Sequence, residues 1–418
     1  MKTHAIHARQ AYLDRVEPHS ITLLHSGQAP HKSLDQYFTF SVNRNFYYLT
    51  GIEAPNLILM LIKGEKDSQT YLFLEENTDF IIKWEGARIT KDEAHEKSGI
   101  EVTSMRYLET FEATFNQMMN YARSPFGVVP QTLYLDLYHV KADQKPQALK
   151  TFGHIKENYP ELKSKNLNEH LAYLRMFKSK EELSLLKEAI AMTNEGLTRV
   201  LKTLKTRDNE HQIEAEFNYA ITLAGASGNA FDTIAASGAN ATVLHYHHNN
   251  QPLPKEGMLL LDLGALNANY AADISRTYPI SGVYTQRQKA IYEAVLDVNK
   301  RTVDMVKPGV TWGELNAFAK DALAKHAVAL KLIDKEEDIL HVYYHSIGHF
   351  LGLDVHDVGL YHQPLEAGMV ITIEPGLYVS AEGIGVRIED DILVTEDGYE
   401  NLSKNILKEV EDIEKAMR

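Results

Sequence analysis

Four acidic residues, Asp262, Asp273, Glu374 and Glu389, stand in or directly beside short apolar runs that read as β-strands. A carboxylate in a strand core is costly unless something compensates it. Four that converge repel one another unless cations are bound. A fold that keeps them must bring its strands together around a charged centre, and bound metal is the reading that reverses the electrostatics. His349 lies in a glycine-rich segment between the two acidic pairs, completing an oxygen and nitrogen set that points to a two-metal hydrolase.

The first pair shows the expected geometry. Gly257 to Gly264 is an apolar run that ends in a turn signal, as a buried strand does. Ala265 to Asn269 can turn the chain, and Tyr270 to Tyr278 returns as a second strand. On such an antiparallel hairpin Asp262 and Asp273 can face each other across the ladder. Taken alone, the pair also admits one aspartate turned to solvent at a strand end.

The second pair repeats the pattern. Gly368 to Glu374 is a strand stopped by Pro375-Gly376. Gly385 to Val394 is the next strand, and a period of two puts Arg387, Glu389 and Asp391 on one face with Val386, Ile388 and Ile392 on the other. Arg387 beside Glu389 is expected to support that ligand from behind. An exposed edge strand with a surface ion pair is the alternative. Between the pairs, His345, His349 and His356 fall within one segment with Gly348 and Gly352. Three histidines can supply a ligand, a donor and an acid or base, and spacing alone does not say which binds metal.

These residues resemble a known family. Asp262-Leu263-Gly264 through Asp273 with Ser275-Arg276-Thr277 is similar to the two-aspartate hairpin of the "pita-bread" metallopeptidases, which include methionine aminopeptidases, aminopeptidases P and prolidases. His345-x-x-Gly348-His349, Thr372 to Gly376 and Gly385 to Asp390 match its other signatures in the same order. The resemblance runs from Arg175 to about Ser403. It implies that Asp262 holds one metal, that Asp273 and Glu389 bridge both, and that His349 and Glu374 complete the other. His245, His345 and His356 match three further active-site histidines. Phe350 departs from the pattern, where glycine is common, and is expected to narrow the pocket. His247-His248 extend the His245 run and are read as a solvated loop.

The donor set is hard and free of sulfur, which suits Mn²⁺, Co²⁺ or Fe²⁺ and admits Zn²⁺; the resemblance favours two Mn²⁺ ions. Two ions about 3.5–4 Å apart share a water and lower its pKa toward neutral. The expected reaction is attack by that bridging hydroxide on the carbonyl before proline. Glu374 moves the proton to the proline nitrogen. His245, His345 and His356 orient substrate and stabilise the oxyanion. The free N-terminal amine is placed near Asp262.

The N-terminal part chooses among subfamilies. Asn43 to Ile52 resembles the "F-x-Y-L-T-G" signature of the aminopeptidase P N-terminal domain, and Trp84 to Arg88 resembles another of its segments. The expectation is an α/β (α+β) chain with a smaller N-terminal α/β domain, residues 1–165, and a pita-bread (creatinase/aminopeptidase-like) catalytic domain, residues 166–418. Its activity is release of the N-terminal residue from peptides with proline second. Prolidase is the alternative, and a non-catalytic binding protein of the same fold is a third reading. Non-catalytic relatives lack ligands, whereas this chain keeps all five.

Composition sets outer bounds. At 418 residues the chain suits two domains, and 44% hydrophobic with 24% charged residues is ordinary for a globular protein. A net charge of -14 disfavours a nucleic-acid partner. The absence of cysteine removes disulfides and thiolate ligands and fits a reducing cytoplasm. No secretory signal or membrane-length apolar run is evident, and the resemblance suggests a homodimer or tetramer. Strands are expected at Leu57–Ile62, Thr70–Leu74 and Thr132–Tyr138, and a helix at Met105–Arg123. Ser179–Lys205 is the clearest helix, opened by a Ser179/Glu182 capping box.

Overall fold

The computed structural model describes residues 1–126, 128–139, 141 and 145–418. They form two compact units, Met1–Arg175 and Met176–Arg418.

The first unit is built on six strands: β1 (Ser20–His25), β2 (Ile58–Lys63), β3 (Ser68–Leu74), β4 (Met105–Tyr107), β5 (Thr132–Leu135) and β6 (Lys163–Asn166). Their order is β4-β3-β2-β1-β5-β6. The pairs β1/β2 and β2/β3 are antiparallel and the others parallel. Ile21, Leu23, Met60, Ile62, Phe73, Leu133 and Leu135 from these strands are buried in one core. The segment expected as one helix from Met105 divides. Met105–Tyr107 pairs with Leu72–Leu74 as an edge strand, and the helix proper is Phe111–Met118.

The F-x-Y-L-T-G segment forms a single capped helix, Arg44–Thr50. Asn43 accepts from the Phe46 backbone N–H at its start, and Gly51 closes it in the left-handed region at φ 66°. The unit ends at Arg175 within the helix Asn168–Met176, whereas the sequence places the boundary at 165. That helix belongs to the first unit through polar contacts: Asn168 donates to Asp136, and Arg175 donates to Asn45.

The second unit begins at α1 (Lys180–Thr203), whose N-terminus has the Ser179/Glu182 capping box. Next come α2 (Glu210–Leu223), β7 (Ile234–Ser237), β8 (Met258–Leu263) and β9 (Ile274–Pro279), with β8 central between antiparallel neighbours. Helices α3 (Gln286–Val303) and α4 (Trp312–Ala329) separate these from β10 (Val370–Ile373), β11 (Gly376–Val379), β12 (Ile384–Arg387) and β13 (Asp390–Val394). The run expected as one strand from Gly385 to Val394 is interrupted. β12 pairs with β11, β13 pairs with β10, and Ile388-Glu389 is the crossing between the two sheets. There the Glu389 N–H leaves its own strand and donates to the Ser275 carbonyl at 3.0 Å.

Candidate metal centre

Each acidic residue is placed by a local backbone device. In the aspartate hairpin Asp262 lies opposite Ser275, so Asp273 is its diagonal neighbour and does not stand directly across. The offset arises because Ala265–Asn267 and Tyr270–Ala271 form a small hairpin of their own. Gly264 permits it: a Cβ there would sit 1.8 Å from the Ala272 carbonyl oxygen. The two carboxylates still converge, and Asp262, Asp273 and Glu389 offer oxygens within 4.8 Å of one another.

The histidine segment lies antiparallel to β10. Glu374 N–H donates to Ile347 O at 2.8 Å, Thr372 N–H to His349 O at 2.9 Å, and Leu351 N–H to Val370 O at 3.0 Å. This alignment brings His349 to Glu374. The His349 Nδ1 lies 3.0 Å from the Phe350 carbonyl, which can only accept, so Nδ1 carries the proton. Nε2 faces Asp273 at 3.3 Å, Glu374 at 3.8 Å and Glu389 at 4.0 Å. A ring fixed through Nδ1–H leaves Nε2 as the atom that would ligate a divalent cation held among these carboxylates.

The carboxylates carry the electrostatic signature of a cation site. Burial, and then Asp262, push Glu389 up to about 7. Burial and Glu389 hold Asp273 and Glu374 well above the usual carboxylate range. Oδ1 of Asp262 and Oδ1 of Asp273 are buried without a hydrogen-bond partner among the described residues. Unpartnered buried oxygens of this kind fit a metal, which supplies the missing charge. His349, Glu374 and Glu389 form a second such group and Asp273, His349 and His356 a third; the first two share Glu389.

Asp262, Asp273, His349, Glu374, Glu389, His245, His345, His356 and Arg387 all line one pocket of about 310 Å³. Arg387, expected beside Glu389, reaches other partners. It donates to Asp262 Oδ2 at 2.6 Å, to Tyr378 OH at 3.0 Å and to Ser275 Oγ at 2.8 Å, and Ser275 in turn donates to Glu389. His345 has Nδ1 on the Ser346 carbonyl and Nε2 on Tyr378 OH, each at 2.8 Å, and burial lowers its pKa to about 4. His356 packs edge-on against His349 with ring centres 4.3 Å apart.

Phe350 does not narrow the pocket. It is 1% exposed and packs on Trp312 and Tyr361 in the space left by Gly359. Tyr361, which Phe350 buttresses, is the pocket-lining residue. His247 and His248 are exposed and belong to none of the donor groups found among the described residues.

The sequence reading passed over Asp391, Ser275 and Tyr378 as site residues. Asp391 is buried, accepts from the Asp273 N–H and keeps its Oδ1 unpartnered among the described residues. Its alternation with Glu389 was the available signal. Nothing in the sequence ties Tyr378 to His345.

The model for metallopeptidase family M24 matches residues 184–396, which contain every residue of this pocket. The chain belongs to metallopeptidase family M24. The model for the aminopeptidase P N-terminal domain matches residues 5–126 of this M24 chain. Among curated relatives, the Xaa-Pro aminopeptidase of Escherichia coli is 30% identical over 429 residues, covering 98% of this chain and 96% of its own. A Bacillus anthracis structure provisionally described as an aminopeptidase P has a TM-score of 0.95 at 43% identity, covering 100% of this chain and 98% of that one. Zn-substituted E. coli aminopeptidase P in complex with product has a TM-score of 0.90 at 28% identity, with the same coverage.

Proposed function

We propose that this chain is a metal-dependent Xaa-Pro aminopeptidase that releases the N-terminal residue of peptides with proline in second position. The observation that carries the reading is His349 Nε2 facing Asp273, Glu374 and Glu389 inside a pocket lined by His245, His345 and His356. The E. coli relative's name gives the substrate class.

Asp262, Asp273 and Glu389 would hold one divalent ion, and His349, Glu374 and Glu389 the other, with Asp273 also shared. When bound, the ions supply Lewis-acid polarisation of the scissile carbonyl and an acidified water. We propose Mn²⁺ as the native metal on the family resemblance; the hard donor set itself suits Mn²⁺, Co²⁺ or Fe²⁺ and admits Zn²⁺.

The chain's own residues do the remaining work. Glu374, whose buried carboxylate has raised proton affinity, takes the proton of the attacking water and returns it to the proline nitrogen. That nitrogen belongs to a tertiary amide without an N–H, so the leaving group departs only when protonated. His345 is neutral, and its Nδ1–H can turn from the Ser346 carbonyl to a substrate oxygen. His245 and His356 stand at exposed positions of the pocket, placed to orient the peptide. Arg387 holds Asp262, beside which the substrate's amine would lie.

Arg387 also argues against prolidase. A dipeptidase needs a cation for the free carboxylate beside proline. Arg387 is the one lysine or arginine lining the pocket among the described residues, and its Nε, Nη1 and Nη2 are engaged by Ser275, Tyr378 and Asp262.

Residues 1–165 are proposed as the aminopeptidase P-type N-terminal domain and 166–418 as the catalytic domain, on the family models that match residues 5–126 and 184–396. A homo-oligomer, a dimer or tetramer, is proposed on the family resemblance. A cytoplasmic location agrees with the absence of cysteine. No helix among the described residues is long and apolar enough to cross a membrane.

The test is hydrolysis of a Xaa-Pro-Yaa tripeptide and the matching Xaa-Pro dipeptide by metal-stripped protein, with and without Mn²⁺. Mn²⁺-dependent release of Xaa from the tripeptide, with the dipeptide poor, is expected. Preference for the dipeptide moves the assignment to prolidase.

A further inference from the structure

Outside the metal centre, one buried carboxylate collects an unusual number of donors. Glu210 opens α2, is 0% exposed, and lies beyond the family of ligands described above. Its Oε1 accepts from Ser237 N–H at 2.9 Å, Ser237 Oγ at 2.7 Å and Asn240 Nδ2 at 3.0 Å. Its Oε2 accepts from Tyr246 OH at 2.8 Å and Gln251 N–H at 3.0 Å. The Glu210 N–H also donates to the Gln251 carbonyl at 3.1 Å.

Five donors to one carboxylate satisfy it as an ionised group without a cation. All five come from the chain between Ser237 and Gln251, which leaves β7, passes the pocket and returns. His245 lies on this segment and lines the pocket from an exposed position. Its ring makes no hydrogen bond among the described residues, and its ring neighbour is exposed His247, centroids 6.0 Å apart. The place of the His245 imidazole is therefore set by its backbone. Asn249 pins the far side of the segment through Ala235 N–H and Thr233 O. Among the described residues Glu210 is the one side chain that reaches both sides of His245, at Asn240 and at Tyr246; Tyr344 OH holds one side only, donating to the Thr242 carbonyl at 2.6 Å.

We propose that Glu210 is a positioning residue for His245, fixing the height and direction of that imidazole over the pocket through Asn240 and Tyr246. The inference rests on the proposed function only for the substrate that His245 would meet; the tethering itself does not depend on it.

The test uses the full chain, loaded with Mn²⁺ for hydrolysis of a Xaa-Pro-Yaa tripeptide and with diamagnetic Zn²⁺ for NMR of histidine-labelled protein. The variants are Glu210→Gln and Tyr246→Phe, each alone and combined with His245→Ala. Glu210→Gln keeps the volume but turns one acceptor into a donor facing other donors. We expect kcat/KM to fall about tenfold in Glu210→Gln and about threefold in Tyr246→Phe, with Mn²⁺ affinity unchanged. In the His245→Ala background neither change should cost anything further, because the group being positioned is gone. The His245 ring resonance, assigned by its loss in His245→Ala, should shift or broaden in both variants. The resonances of His345 and His349 should stay.

Equal losses in both backgrounds, or an unmoved His245 resonance, would overturn the proposal. If Glu210→Gln fails to fold, Tyr246→Phe, which removes a single hydroxyl, decides the matter. If the unmodified chain binds Mn²⁺ and leaves the tripeptide intact, the functional reading has failed, and the His245 resonance still decides the positioning claim.

Discussion

Arg387 Nη2 donates to Asp262 Oδ2 at 2.6 Å, while Oδ1 of the same carboxylate is buried with no hydrogen-bond partner among the described residues. One oxygen is thus taken by a guanidinium and the other is left for a cation. The same guanidinium reaches Ser275 and Tyr378, so three elements of the site meet on one planar group. Replacing Arg387 by alanine leaves the half-buried Asp262 carboxylate without its partner, which costs about 1–3 kcal/mol. The loss should appear as a lower melting temperature and weaker Mn²⁺ binding by calorimetry. Arg387→Lys should rescue little, because an ammonium cannot serve three directions in a plane. Rescue to unmodified affinity would show that only the charge matters.

The raised carboxylates give a pH dependence whose sign is fixed. Glu389 is pushed up to about 7 in the folded, metal-free chain. An unfolded glutamate titrates near 4.3. Between these values the folded state binds more protons than the unfolded one, so metal-free stability falls as pH rises through that window. Bound metal replaces the proton, so the melting-temperature gain on adding Mn²⁺ should be larger at pH 7.5 than at pH 5. Metal binding near neutrality should also release protons, which calorimetry in buffers of different ionisation enthalpy would detect. A Mn²⁺ gain independent of pH would contradict this electrostatic account.

Gly348 sets the distance between the histidine segment and β10. A Cβ there would lie 2.0 Å from the Thr372 carbonyl oxygen, which is backbone and cannot swing away. Gly348→Ala should force the segment off the strand and carry His349 away from Glu374. Such overpacking costs about 1–3 kcal/mol, and the expected result is a melting temperature lowered by several degrees with Mn²⁺ affinity reduced at least tenfold. Thermal melts and metal titration check it. An alanine variant that binds metal normally would mean the segment has slack the geometry does not show.

Which features were readable beforehand follows from how local each one is. The helix from Lys180 shows itself because Ser179 and Glu182 lie on one turn and satisfy each other's backbone. Asp262, Asp273, Glu374 and Glu389 show themselves because charge within an apolar run is conspicuous wherever it folds. The true register of the aspartate hairpin was hidden, since it depends on the Ala272 carbonyl entering the space over Gly264. The crossing at Ile388-Glu389 was hidden too, because the alternation continues unbroken through a point where the partner strand changes. Phe350 was misread as a pocket residue because Gly359, which makes room for its ring on the core side, lies outside its own segment. The three-residue strand at Met105 owes its conformation to β3, a partner distant in sequence. Local chemistry was legible; partners chosen by tertiary packing were not.

Asn299 offers the sharpest separation of geometry from chemistry. It sits on α3, is 0% exposed, and its Nδ2 donates to the Ile373 carbonyl at 3.2 Å and the Ile388 carbonyl at 3.1 Å. Those carbonyls immediately precede Glu374 and Glu389. Its Oδ1 accepts from Lys408 at 2.9 Å, and Lys408 in turn pairs with Asp390. One amide thus ties together the backbones of two proposed ligands without touching either carboxylate. Asn299→Leu keeps the volume and leaves two buried carbonyls and an ammonium without that partner, a cost of about 1–3 kcal/mol for each group stranded. Asn299→Asp keeps the acceptor for Lys408 but turns a second oxygen toward the two carbonyls, so it should be no better at holding them. Both variants should lose Mn²⁺ affinity while retaining the N-terminal unit's fold, read by calorimetry and by near-ultraviolet circular dichroism. If Asn299→Leu melts earlier yet binds both ions as tightly as the unmodified chain, the amide stabilises the core alone, and the spacing of Glu374 and Glu389 is set by the strands themselves.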